Sequence, residues 1–462
     1  MRTYTLDPRG PVPLYESLYR QIRDDILTGA LRADEKLPSK RALAEHLRIS
    51  VITVEGAYAQ LTAEGYVYAL PKRGFFVSRV ERPLPPVQAA AVPPEPPARP
   101  WALDLKSNRI RPDRFPLSVW SRLTRQALSE EGAALLAPIP HRGLPALRQA
   151  IAADLRDYRG MAVSPEQIVI GAGAEYLYLL LAQLLGKEAV FALEDPGYPK
   201  IARVYEHSGV RCVRVPLDRQ GLRPDVLRTS GATVAHISPS HHYPTGIVTP
   251  IARRQELLRW ADALDGYLIE DDYDSEFRFS GRPIPSLQSI DTQGRVIYLN
   301  TFSQTIAPSV RVGFMLLPPD LLERYLRELD FYACPVPGLE QSILARFIAG
   351  GFYEQHLARM RTEYRTLRRQ VLDAFERSPF SGRIRIVEQG AGLHFLMELD
   401  TARTDEDLRR RAEELGVRLS FLSEYAAEPR PELAHTLVIN YAGLSAERLD
   451  RTIALLAQVF AE

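Results

Sequence analysis

The sequence predicts an α/β chain: a large alternating body, a smaller α+β part at its C-terminal end, and a small helical unit with a basic hairpin at its N-terminal end. Three observations carry this. Short β-branched runs alternate with amphipathic stretches from residue 168 to residue 316, the pattern of a mostly parallel sheet covered by helices. Beyond residue 380 the strands become shorter and alternate with helices. Between the first unit and the body, residues 79–100 hold eight prolines (83, 85, 86, 93, 94, 96, 97 and 100) and almost no core-forming residue, so the expected division is 1–78, a semi-rigid linker 79–104, and 105–462.

Composition narrows the function classes. At 462 residues, 45% hydrophobic and 25% charged, the chain can build two or three cores. Its 58 Lys and Arg nearly cancel its 57 Asp and Glu, so any DNA-binding face has to be local. Cys212 and Cys334 stand far apart without a CxxC spacing, which argues against a disulfide framework or a zinc site and fits a reducing compartment. No metal is expected. The first residues lack a signal-peptide core, and the greasiest run, Tyr176 to Leu185, is too short for a bilayer. A soluble, cytoplasmic protein is the expectation.

At the N-terminal end, Leu14, Leu18, Ile22, Ile26 and Leu27 mark an amphipathic helix over 14–30, ended by Thr28-Gly29. Ser39 can cap a helix carrying Leu43 and Leu47. After Arg48-Ile49, Ser50 can cap a second helix with Val54, Ala57 and Leu61 inward, and the pair forms a helix-turn-helix. Tyr66 to Leu70 and Phe75 to Ser78 flank the basic turn Pro71-Lys72-Arg73-Gly74, which reads as a wing. Lys40, Arg41, Lys72 and Arg73 suit phosphate contacts, while Ser50, Val51, Ile52 and Thr53 open the helix that faces base edges. Val51 can touch a thymine methyl but cannot bind guanine bidentately. An ordinary solvated face is the alternative, since residues 1–78 hold eleven Lys and Arg against nine Asp and Glu.

The phrases LPSKRALAEHL, TVEGAYAQLTAEGYV and RGFFV resemble the winged helix-turn-helix of GntR-type regulators over residues 11–78. The resemblance implies a double-stranded DNA partner. Such domains often carry an arginine where this chain has Val51.

In the body, strands are expected near 168–170, 189–193, 211–215, 234–237, 267–270, 296–299 and 312–316, and helices near 174–186, 199–207, 251–264, 320–330, 340–349 and 353–377. Short strands near 384–387, 394–398 and 437–441, with helices near 405–415 and 446–460, form the small C-terminal part. Gly171-Ala172-Gly173-Ala174 opening a helix offers backbone N–H groups and a dipole end suited to a phosphate, although glycines there also simply make turns. Asp271 ends an apolar strand, where a carboxylate reaches a ligand. Glu270, Asp271, Asp272 and Asp274 taken alone also read as a solvated acidic loop.

The phrases HRGLPALRQAIAADL, IVIGAGAEYLYLLL, EDPGYPKI, PSHHYPTG, IEDDYDSEF and TFSQTIAPSVR, in this order, resemble fold-type-I aminotransferases in the version fused to GntR-type readers, the MocR-type regulators. The resemblance covers nearly all of 105–462. It implies a pyridoxal phosphate (PLP)-dependent transferase-like large domain, a small α+β domain and a homodimer. It also implies roles: Gly173, Ala174, Ser303 and Arg311 around the cofactor phosphate, Tyr198 stacked on the ring, Asp271 at the ring nitrogen and Tyr273 at the ring oxygen.

At the position of the Schiff-base lysine stands Gln304, whose amide nitrogen is delocalised into its carbonyl and cannot condense with an aldehyde. No catalytic residue is therefore assigned, and PLP or a related phosphopyridine is expected to bind without a covalent link. Gly443 stands at the apparent place of the family's carboxylate-binding arginine, and Tyr243 replaces the asparagine of the NPTG-like turn. Lys200, one of six lysines, is either a ligand cation or a surface residue. The main expectation is a regulator that reads DNA and senses a small molecule. A PLP-dependent aminotransferase with an accessory reader, and a ligand-free dimerisation scaffold, are the alternatives.

Overall fold

A computed structural model describes residues 2–8, 11–81, 101–107, 110–279, 284–387 and 390–461. Most of the expected linker, 82–100, lies outside the described residues. Two compact units are present, Met1–Ala98 and Arg99–Glu462.

In the first unit, α1 (Leu14–Thr28) buries Leu18, Ile22 and Ile26 along one face and ends at Gly29, whose left-handed φ of 80° lets its N–H reach the Ile26 carbonyl. Helix α2 (Lys40–Leu47) is capped by Ser39 Oγ on Ala42 N–H, and α3 (Val51–Ala63) by Ser50 Oγ on Thr53 N–H. Strands β1 (Val67–Leu70) and β2 (Gly74–Val77) pair antiparallel, Val67 opposite Val77. Leu18, Leu43, Val54, Leu61, Val67 and Val77 meet in one core, so both helices of the motif are fixed against α1 and the hairpin.

The second unit begins with β3 (Leu103–Asp104), paired parallel with a strand near the other end of the chain. This corrects the expected boundary at 104. Leu103 is buried and follows a run too polar and proline-rich to signal a strand. Helices α4 (Leu117–Glu131) and α5 (Pro145–Arg159) follow, neither singled out from the sequence. Then come β4 (Ile168–Gly171), α6 (Ala174–Leu185), β5 (Val190–Asp195), α7 (Pro199–His207), β6 (Arg211–Asp218), β7 (Gly221–Leu222), α8 (Pro224–Thr229), β8 (Val234–Ile237), α9 (Ile251–Ala263) and β9 (Tyr267–Asp271). After β10 (Val296–Thr301) and β11 (Gly313–Leu316) the chain runs through α10 (Pro319–Glu328), α11 (Gly338–Ala349) and the 25-residue α12 (Phe352–Glu376).

Strands β4 to β11 form one eight-stranded sheet ordered β4-β11-β10-β9-β8-β5-β6-β7. Pairings from β10 through β9, β8 and β5 to β6 are parallel, while β11 runs against both β10 and β4. Buried on both faces, β8, β9 and β10 read as continuous apolar runs. Their C-terminal ends, the end of β4 and the start of β11 all open on one edge, where ligands of such sheets bind.

The C-terminal part packs the antiparallel β12 (Ile384–Val387), β13 (His394–Leu399) and β15 (Thr436–Asn440) against α12 and α14 (Leu449–Val459). Helix α13 (Asp405–Glu414) leads into β14 (Val417–Arg418), the partner of β3.

Behind the sheet, Asp272 is wholly buried and accepts hydrogen bonds from Arg159 (2.5 Å), Tyr298 (2.6 Å) and Ser275 (2.8 Å). Burial lowers the guanidinium's affinity for its proton, and Asp272 together with Tyr298, Glu276 and Glu270 more than offsets this, so Arg159 stays charged. Removing one partner of such a pair strands a buried charge, at about 3–5 kcal/mol. Arg159→Met should therefore lower the stability of the large unit by about this amount, measured as the shift of its urea-unfolding midpoint; a shift below ~1 kcal/mol would mean that Asp272 is sufficiently held by the hydroxyls of Tyr298 and Ser275.

Candidate functional site

The sheet edge carries a cleft of about 840 Å³ whose walls include Ala174, Tyr198, Asp271, Tyr273, Ser303, Gln304 and Arg311. Six of the seven residues expected around a cofactor thus line one space, together with Gln304. The seventh, Gly173, is the N-cap of α6 at φ 89°, and a Cβ there would stand 2.7 Å from Arg311 Nη2. Glycine is required both by the left-handed backbone and by the close approach of the guanidinium.

Asp271 ends β9 and is 7% exposed. Its Oδ2 accepts from Tyr178 OH at 2.5 Å and lies 3.3 Å from His236 Nε2, while His236 Nδ1 lies 2.9 Å from Tyr205 OH. Burial, then the charge of Asp271, raises the Tyr178 phenol far above its usual range, so it remains a donor. The solvated-loop reading of the acidic run is excluded: Glu270, Asp272 and Asp274 are at most 2% exposed, and each carboxylate is hydrogen-bonded within the fold.

The opposite end of the cleft is cationic. Arg311 takes a left-handed conformation (φ 53°, ψ 37°) after the turn Pro308–Val310, a backbone state costly for a non-glycine residue. This aims its Nη2 at the Ala172 carbonyl (2.9 Å) and Glu175 Oε2 (3.0 Å). Lys200 Nζ donates to Glu175 Oε1 at 2.9 Å and lies 6.0 Å from the Tyr198 ring centroid. The bond to Glu175 holds the ammonium protonated above its ordinary range. Lys200 lines the cleft with its side chain half exposed.

Between these poles Tyr198 is 42% exposed, with its ring edge-on to Tyr243 at 5.8 Å. Tyr273 OH lies 3.3 Å from His241 Nδ1. Glu194 also lines the cleft; burial pushes its carboxyl up to about 8 against the opposing bond from Ser238 N–H. Lys106, Arg418, Glu424 and Tyr425 close the side formed by the C-terminal part.

Tyr178, His236, Glu175 and Lys106 were not anticipated. A tyrosine four residues into an apolar helix and a histidine in the apolar strand VAHI looked like core. A second unanticipated group is His241, Asp274 and His394, buried with potential ligand atoms within 4.8 Å of one another. His241 Nδ1 lies 3.0 Å from Asp274, and His394 Nε2 faces the Pro244 carbonyl at 3.1 Å.

In the first unit, Arg41, Lys72, Arg73, Val51 and Ile52 are exposed, and Thr53 is half-buried. Ile52 at 78% and Val51 at 42% are apolar projections from the first turn of α3. Lys40, expected to suit a phosphate contact, has its Nζ paired with Glu55 on α3 at 2.5 Å. Ser50 is occupied by its cap and by Thr53 Oγ1 at 2.8 Å. Arg48, exposed at the left-handed turn between α2 and α3, is a cation that the sequence reading passed over.

Residues 102–456 match the family described as aminotransferase class I and II, and residues 14–77 match the gntR family of bacterial regulatory proteins. The chain is 35% identical over 460 residues to the uncharacterized HTH-type transcriptional regulator YhdI of Bacillus subtilis (strain 168), covering 99% of this chain and 97% of that one. With the probable rhizopine catabolism regulatory protein MocR of Rhizobium meliloti it shares 32% identity over 478 residues, 98% and 95% of the two chains. Among solved structures, the α-aminoadipate aminotransferase LysN of Thermus thermophilus, complexed with N-(5'-phosphopyridoxyl)-L-leucine, superposes with a TM-score of 0.67 at 26% identity, over 78% of this chain and 92% of that one. Among the described residues no helix is long and apolar enough to cross a membrane. A gntR-type reader followed by a fold-type-I aminotransferase-like body, shared end to end with such relatives, means that the chain belongs to the HTH-type transcriptional regulators of the MocR kind and is a DNA-binding regulator of transcription.

Proposed function

We propose that the aminotransferase-like body is a sensor, not an enzyme: its cleft takes PLP or a related phosphopyridine without a covalent link, and occupancy shifts a cytoplasmic homodimer between DNA-binding states. The observation that carries this is one cleft with a buried carboxylate at one pole, a cationic corner at the other, an aromatic face between them, and Gln304 in its wall.

The fit rests on the donor set. Asp271, fixed by Tyr178 and His236, is placed to accept a hydrogen bond from a protonated ring nitrogen and keep it charged. Gly173 leaves the space that a Cβ would take beside Arg311. Arg311, the N–H groups opening α6, and Ser303 suit a phosphate, since a planar guanidinium matches that oxyanion and a helix start favours negative charge. Tyr198 offers a ring face, and Tyr273 a hydroxyl. When bound, the cofactor supplies an electron-withdrawing ring and a reactive carbonyl or amine. Gln304 provides neither a nucleophilic amine nor a proton shuttle, a loss worth roughly 10²–10⁴ in rate for general acid–base catalysis alone.

Gln304→Lys should retain added PLP through borohydride and denaturation, read by mass and absorbance, whereas the unaltered chain should release it. Multiple-turnover transamination by the unaltered chain would restore the enzyme reading.

In the reader, Val51 and Ile52 are proposed to face base edges from the start of α3, with Arg41, Lys72 and Arg73 on phosphates. Lys40, paired to Glu55, contributes less. Binding to duplex DNA should weaken steeply with salt, and Arg73→Ala should weaken all sequences alike and reduce the slope of log K against log salt by about one. Sequence-dependent loss in that variant would place Arg73 on a base. Pairing of two such bodies is part of the proposal, as the family implies. The full chain should sediment as a dimer at micromolar concentration, and a monomer there would sink this part of the proposal.

A further inference from the structure

The cationic corner of the cleft already contains an anion. Glu175 is the second residue of α6, immediately after Gly173 and Ala174, where the helix presents its unpaired N–H groups. Its two carboxylate oxygens are divided between the two cations of the corner: Oε1 accepts from Lys200 Nζ at 2.9 Å and Oε2 from Arg311 Nη2 at 3.0 Å. Burial alone would raise this carboxyl. Lys200, the N–H of the helix start and Arg311 together outweigh burial and hold it at about 2. It is therefore ionised at every physiological pH.

Three groups suited to an incoming phosphate, namely Arg311, Lys200 and the helix start, thus converge on a carboxylate of the chain itself. The bridge is not locked in the core. Arg311, Lys200 and Glu175 side chains are 51%, 50% and 36% exposed to the cleft, so the carboxylate can swing out when a better anion arrives. A phosphate that enters beside an unmoved Glu175 meets like charge, and one that displaces it must break two ion pairs.

We propose that Glu175 is a resident counter-anion that competes with the ligand's phosphate for Arg311 and Lys200, lowering the affinity of the cleft for phosphate-bearing ligands and keeping their binding reversible. The inference rests on the phosphopyridine reading for the identity of the ligand, but not for the charge competition. It assigns Glu175 a role opposite to scaffolding: a scaffold that merely orients Arg311 and Lys200 would help phosphate bind.

The test is calorimetric titration of the full-length chain and its Glu175→Gln variant with pyridoxamine 5'-phosphate, with pyridoxamine, and with inorganic phosphate at fixed ionic strength. Glutamine keeps the shape and can still accept from one cation, and Glu175→Ala serves as a second variant should the amide hold both. Each should bind pyridoxamine 5'-phosphate roughly tenfold more tightly than the unaltered chain, about 1.4 kcal/mol, and pyridoxamine within about twofold. Equal or weaker binding of the phosphorylated ligand by both variants overturns the inference in favour of a scaffold. If no chain binds pyridoxamine 5'-phosphate while the variants gain affinity for inorganic phosphate, the charge competition stands and the phosphopyridine reading falls. If inorganic phosphate binding is unchanged as well, both fall.

Discussion

Carboxylates at 270, 271, 272 and 274 are buried at the end of β9, and the large unit is assembled around the partners they require. A buried carboxylate without a partner costs several kcal/mol, so each draws a different element to this point. Glu270 accepts the N–H groups of Leu287 and Gln288. Asp271 takes Tyr178 of α6 and His236 of β8, Asp272 takes Arg159 of α5 and Tyr298 of β10, and Asp274 takes His241. Alternation along the strand sends Asp271 to the cleft and its neighbours to the interior. The cleft-facing carboxylate is therefore held between neighbours that are anchored in the interior.

Much of this fold was legible from period and punctuation. The central strands open on apolar runs and are bounded by turn residues, and the expected ranges for β8 and α7 coincide with the observed ones. Helices α4 and α5 were not among the expected ranges, although each is amphipathic and has a proline at its start, which favours a helix. The strand Leu103–Asp104 was illegible for another reason, since its partner lies over 300 residues away and two residues carry no period.

The candidate site divided in the same way. Residues carrying a motif, such as Asp271 and Arg311, were found from order and spacing. Proximity was not legible: Lys200 was weighed as a ligand cation or a surface residue, but its partner Glu175 stands 25 positions away and meets it only because α6 and α7 start at the same sheet edge. In the reader, the pairing of Lys40 with Glu55 likewise needed the angle between two helices.

The pairing of β3 with β14 fastens the start of the large unit beside the cleft. Arg418 belongs to β14, and Lys106 follows β3 by two residues; both line the cleft, and Lys106 is tied to Glu424 at 2.7 Å. The first strand of the large unit is thus held at the rim of the cleft. A shift at Lys106 or Arg418 acts on this two-stranded pair directly, with no relay through the eight-stranded sheet.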